Sequence, residues 1–133
     1  MMPRITLLVA SLHVLLYIVL TVRVVLLRRS TRIGVGSGGD PAMALRVRVH
    51  GNFAEYVPLA LLMLALLELC AVPAALLWTF GLALLLGRVL HAIGLGGSAG
   101  YSFGRFSGAL LTLVVLLAMA LAGLWWFVLP YTL

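Results

Sequence analysis

The chain has 133 residues, of which 65% are hydrophobic and only 9% charged, and its mean hydropathy of +1.25 leaves too little polar surface for a water-soluble domain. Four membrane-spanning helices of about 20 residues each would consume most of this length, which excludes a separate soluble domain. The formal net charge of +6 comes from arginines beside hydrophobic runs, not from a soluble basic patch with interleaved aromatics, and this excludes nucleic acid as a partner.

The fold class expected is therefore an all-α integral membrane protein, a single domain over residues 1–133 built as a four-helix transmembrane bundle. The first span covers about residues 2–27. Its apolar run is longer than that of a secretory signal, and no small-x-small cleavage site follows, so the segment is expected to stay attached. Arg28, Arg29 and Arg32 come next, followed by a glycine-rich stretch from Gly34 to Gly39 that cannot continue a helix. Those glycines do not form a phosphate-binding loop, because no strand precedes them and no Gly-Lys-Ser/Thr follows.

Asp40 is placed to cap a second helix, with Pro41 at its first position. That helix covers about residues 41–70, roughly 45 Å of rise, so its first turns must protrude from a hydrocarbon core of about 30 Å. Cys70, the lone cysteine, reads as a small buried hydrophobe. Pro73 forces a short turn into a third helix over about residues 74–95. A second glycine-rich stretch leads to a fourth helix over about residues 105–129, closed by Pro130. Trp125, Trp126 and Tyr131 stand where an interfacial aromatic belt is expected. The loop after the first helix carries the cations and the turn after the second carries none, so the first loop is expected to be cytoplasmic.

Several polar residues inside these apolar runs need an explanation. On the second helix Arg48, Asn52 and Glu55 follow an i, i+4, i+7 spacing and share one face, a stripe of cation, amide and anion. Arg88 and His91 share a face of the third helix at i, i+3. Arg88 and Glu55 fall at similar depth and are expected to pair or to share a polar cavity, since neither charge is tolerated alone in hydrocarbon. Arg105 opens the fourth helix on the same side, and the whole set suits a small anionic ligand. Glu68 lies about 20 Å away along the second helix and is assigned to helix packing or the interface. Arg23 is expected to snorkel, the alternative being that it lines the site. His13 is expected to be a packed polar contact between helices; with no second His, Cys or carboxylate at ligand spacing beside it, no metal is expected.

The string Arg48-x-x-x-Asn52-x-x-Glu55-Tyr56-x-Pro58 resembles the most diagnostic segment of the membrane-associated proteins in eicosanoid and glutathione metabolism, the MAPEG family. Arg28-Arg29-x-x-Arg32 resembles the basic run that ends that family's first helix, and Gly87-Arg88-Val89-x-His91 resembles its third. The similarity extends over essentially the whole chain, and the compact sequence is similar to bacterial-type members. The resemblance implies a homotrimer in the bacterial inner membrane, with glutathione sites between neighbouring subunits near the cytoplasmic face. It implies that Arg28, Arg48, Asn52, Glu55, Tyr56, Arg88 and His91 hold glutathione as cosubstrate, and that Arg105 stabilises its thiolate. One departure is Leu95, which stands where the family's eicosanoid enzymes have a tyrosine.

The function this implies is a glutathione-dependent transferase or peroxidase acting on lipophilic electrophiles, with membrane lipid and a lipophilic small molecule as further partners. The alternative is a non-catalytic membrane protein that binds lipid or a small anionic metabolite on the same scaffold. A four-helix drug exporter is disfavoured, because such exporters carry a carboxylate on the first helix and this first helix has none.

Overall fold

The computed structural model describes residues 2–94 and 102–128. Four helices follow in chain order: α1 (Arg4–Thr31), α2 (Pro41–Leu69), α3 (Ala74–Ile93) and α4 (Phe103–Val128). Each is long and apolar enough to cross a bilayer, and no strand occurs among the described residues. Side chains such as Leu7, Leu62, Leu82 and Leu117 stand exposed on the outside, where lipid rather than water is the compatible solvent. The chain is an all-helical membrane protein. Leu95, Tyr101, Pro130 and Tyr131 lie outside the described residues.

The helix ends follow local chemistry. α1 continues four residues past its expected end at Leu27, because Arg28 and Arg29 in the last turn complement the negative end of the helix dipole. The hydroxyls of Ser30 and Thr31 both donate to the Leu27 carbonyl, and Arg32 closes the helix in the left-handed conformation. α2 starts at Pro41, with Asp40 Oδ1 accepting from the amides of Ala42 (2.7 Å) and Met43 (3.1 Å). It ends in a paired-carbonyl cap, Ala71 N to Glu68 O and Val72 N to Leu67 O, with Ala71 at φ +60°. α3 stops at Ile93, and α4 begins at Phe103, earlier than the expected Arg105.

The four helices run alternately up and down, and specific bonds pin both ends of the bundle. At one end Arg46 Nη1 donates to the Arg23 carbonyl (2.9 Å), and His50 Nε2 meets Thr21 Oγ1 (3.0 Å). At the other end the Glu68 carboxylate accepts from the amides of Ile5 (2.9 Å) and Thr6 (2.7 Å). Glu68 thereby caps α1 from another helix, replacing a side-chain cap that Pro3 cannot supply. Trp126 Nε1 donates to the Cys70 carbonyl (3.0 Å). Cys70 itself is exposed at the turn and is not the buried hydrophobe expected, because the chain leaves α2 there.

α2 and α3 each touch the other three helices, whereas α1 and α4 do not meet among the described residues. One apolar core gathers Val9, Leu64, Leu77, Leu84 and Met119, and a second gathers Leu20, Val49, Phe53, Val57 and Ala92. α3 and α4 share the most extensive contact, and two glycines explain its closeness. A Cβ at Gly108 would lie 2.5 Å from the Gly87 carbonyl oxygen and 2.5 Å from the His91 amide, so the two backbones touch only because that Cβ is missing.

Candidate functional site

That backbone contact seals Arg88 inside the bundle. The residue is 1% exposed and is the largest fully buried side chain among the described residues. Its Nη2 donates to Asn52 Oδ1 of α2 at 2.8 Å, and its guanidinium carbon sits 5.6 Å from the centre of the Phe53 ring. Two longer contacts of 3.5 Å reach Thr112 Oγ1 of α4 and His91 Nδ1, one turn along α3. Thr112 spends its own proton on the Gly108 carbonyl (2.8 Å), which leaves its oxygen free to accept from Arg88. The Arg88 Nε has no hydrogen-bond partner.

Among the described residues no carboxylate neutralises this cation: Glu55, the partner expected from depth along the helices, turns to Arg48 on its own helix. Arg48 Nη1 and Glu55 Oε1 are 2.9 Å apart, with Nη2 to Oε2 at 3.4 Å, and the two side chains are 66% and 50% exposed. The expectation that Glu55 and Arg88 pair or share a polar cavity is therefore corrected: Glu55 bonds Arg48 and does not line the cleft beside Arg88. Two turns of helix separate Arg48 from Glu55, a gap the long Arg side chain spans along the outer face of α2.

The α2 stripe thus works in two directions. Asn52 and Tyr56 turn inward and, with Arg88, Ala109, Thr112 and Leu113, line a cleft of about 40 Å³ between α2, α3 and α4. Arg48 and Glu55 remain on the surface beside it. His91 is buried against this group, within the electrostatic field of Arg88, Arg105 and Arg48. Arg105 is half-buried in the first turn of α4. A single buried guanidinium with a small opening, next to an exposed cation–anion pair, can accept one carboxylate inside and offer both charges outside.

Arg28 is placed elsewhere. Its Nη1 donates to the carbonyls of Ile33 (3.1 Å) and Gly36 (3.2 Å), bracing the loop after α1. With Arg29 and Arg32 it lines a separate basic hollow, and no α1 residue lines the Asn52–Arg88 cleft. Of the residues expected together, one chain assembles Asn52, Tyr56, Arg88 and His91, with Arg48 and Glu55 adjacent; Arg28 is not brought in. Thr112 and Phe53 were not anticipated as contacts of Arg88. A hydroxyl residue one turn after a glycine in an otherwise apolar helix was the available signal for Thr112.

A model of the MAPEG family matches residues 6–125. The inner membrane protein YecN of Escherichia coli strain K12 is 33% identical over 117 residues, which is 88% of this chain and 88% of its own length. YecN of Escherichia coli O6:H1 matches to the same extent.

Proposed function

This chain belongs to the MAPEG family, and from that premise we propose that it is a glutathione-dependent membrane enzyme acting on lipophilic electrophiles. The observation that carries the reading is the buried Arg88 guanidinium, which holds an amide and a hydroxyl but no anion and opens onto a cleft. A charge in that setting carries a desolvation penalty that an anionic guest would offset.

Glutathione matches the groups present. It has two carboxylates for arginine and an α-ammonium for Glu55. The cleft has room for a carboxylate arm but not for a whole tripeptide. The remainder therefore lies against the exposed Arg48–Glu55 pair, and a neighbouring copy in a homotrimer closes over it. Charges this exposed on a membrane-spanning helix support such a cover. Arg28, remote from the cleft in its own chain, acts across that boundary.

In this reading Arg105 lies beside the glutathione sulfur, favours the thiolate, and so raises the fraction of reactive nucleophile. The thiolate attacks an electrophilic carbon, forming the S–C bond as the leaving group departs with its electron pair. With a hydroperoxide it attacks the outer oxygen instead: the S–O bond forms as the O–O bond breaks, the alkoxide leaves and is protonated to the alcohol, and a second glutathione attacks the resulting sulfenic acid to give glutathione disulfide and water. The relative's name, inner membrane protein, and the Arg-rich end of the bundle support a bacterial inner membrane with the site toward the cytoplasm.

Glutathione-dependent turnover of 1-chloro-2,4-dinitrobenzene and of a lipid hydroperoxide by the purified protein tests the proposal. Arg105→Ala is expected to lower kcat by about a hundredfold, the size seen when one charge-stabilising donor is removed, while glutathione still binds. No turnover of either substrate, together with no binding of glutathione, would overturn it.

A further inference from the structure

The basic hollow at the end of α1 measures about 340 Å³. It is lined by Val25, Arg28 and Arg29 of the helix, Arg32 at its cap, and Ile33 and Gly34 of the loop that follows. The 28 residues of α1 rise roughly 42 Å, against a hydrocarbon core of about 30 Å and about 40–45 Å with both headgroup layers included. The last turn of α1, and the hollow with it, therefore lies at headgroup depth.

The cations of the hollow are not used alike. Arg28 is spent on the carbonyls of Ile33 and Gly36 and holds the loop against the helix end. Arg29 and Arg32 are exposed, and among the described residues no hydrogen bond or ion pair holds either guanidinium. The chain has only three acids, and each is committed elsewhere. Asp40 caps α2, Glu55 pairs with Arg48, and Glu68 caps α1 at its far end. A counter-charge for Arg29 and Arg32 must come from outside the chain.

The surface leading away from these cations is apolar. Val22, Val25, Leu26 and Arg29 follow an i, i+3, i+4, i+7 spacing and form one stripe of α1, on which the three apolar side chains stand exposed. Val35, beyond Arg32 in the loop, is 91% exposed, a position that suits the boundary between headgroups and acyl chains. A soluble phosphate would need the cations alone. A lipid needs cations at headgroup depth with an apolar strip running from them toward the bilayer centre, and α1 presents both.

We propose that this end of α1 binds an anionic phospholipid, with Arg29 and Arg32 holding the phosphodiester and the acyl chains lying along Val25, Leu26 and Val22. Guanidinium groups pair with phosphate oxygens through two parallel hydrogen bonds. A headgroup with its own ammonium brings a cation to cations, so the site selects lipids of net negative charge, of the phosphatidylglycerol class, over phosphatidylcholine. The site takes nothing from the glutathione reading, so the two can fail separately.

The test uses the full chain in phosphatidylcholine vesicles at about 0.15 M salt. The vesicles carry a trace of phosphatidylglycerol or phosphatidylcholine with a photoactivatable group near the glycerol, and cross-links to residues 22–34 are quantified by mass spectrometry. The anionic probe is expected to label these residues about tenfold more, below the roughly thirtyfold that two arginines supply at a lipid surface before screening. Arg29→Gln combined with Arg32→Gln is expected to bring the two probes within about twofold of each other. Arg4→Gln, which removes an exposed cation at the other end of α1, leaves the preference unchanged. If the double variant does not fold, competition in the parent decides: unlabelled phosphatidylglycerol displaces the probe and excess glycerol 3-phosphate does not. Equal labelling by the two probes, a preference that survives the double variant, or displacement by glycerol 3-phosphate would each overturn the proposal. So would an absence of labelling at residues 22–34, which is the behaviour of a face covered by a second copy of the chain.

Discussion

Removing Arg88 should separate stability from ligand binding. In the ligand-free bundle the guanidinium gains one good charge-assisted bond, to Asn52 at 2.8 Å, which contributes about 1.5–3 kcal/mol. The Phe53 ring at 5.6 Å adds about 1–2 kcal/mol. Against these stands a desolvation penalty of several kcal/mol for a buried ion without a counter-charge. Arg88→Met keeps an unbranched stem, shorter than the original, and removes the charge, but leaves the Asn52 oxygen unpaired at a cost of about 1–3 kcal/mol. The single variant is therefore expected to be near neutral. Arg88→Met combined with Asn52→Leu removes both polar partners and is expected to be more stable than the parent by about 1–4 kcal/mol, the range found when buried ionic groups give way to apolar ones. Thermal and denaturant unfolding in detergent, followed by circular dichroism, measures the difference. A double variant less stable than the parent would refute the claim that Arg88 is held for function at the expense of stability.

Two further outcomes test the scaffold. Gly108→Ala places a methyl group 2.5 Å from backbone atoms of both Gly87 and His91, which cannot rotate aside, and is expected to destabilise the protein by about 1–3 kcal/mol or more. Gly34→Ala, with nothing within 4 Å, is the matched silent control. Glu68→Ala uncaps α1 by deleting the acceptor of two amides, and is expected to cost about 2–3 kcal/mol, with hydrogen exchange at residues 5 and 6 rising first.

The bundle was legible because its signals are local. Hydrophobic run length marks the four helices, and Asp40-Pro41 announces the start of α2 by a cap that needs no knowledge of the rest of the chain. The end of α1 was less legible: three arginines after an apolar run read as a loop, whereas a helix terminus accepts cations readily. Partners are not local. Helical periodicity places Arg48, Asn52 and Glu55 on one stripe, but it cannot tell that the stripe straddles an edge, with Asn52 turned to Arg88 and Glu55 left to Arg48. The role of Glu68 depends on α1 starting beside it, sixty-odd residues away in sequence, and no spacing rule reports that contact. Arg28 matched a family pattern, yet its own chain holds it against the Ile33 and Gly36 carbonyls, because a loop's bare carbonyls are the nearest acceptors.

The exposed Arg48–Glu55 pair is expected to contribute less than about 1 kcal/mol to folding, yet to be essential for holding the tripeptide. Glutathione at about 100 times its dissociation constant adds roughly 2.7 kcal/mol to the unfolding free energy of a protein that binds it only when folded. Thermal unfolding of the detergent-purified protein with and without glutathione is therefore expected to show a clear rise for the parent, and none for Arg48→Ala or Glu55→Gln, although all three fold alike without ligand. An unmoved transition in the parent, or full stabilisation of both variants, would contradict the account.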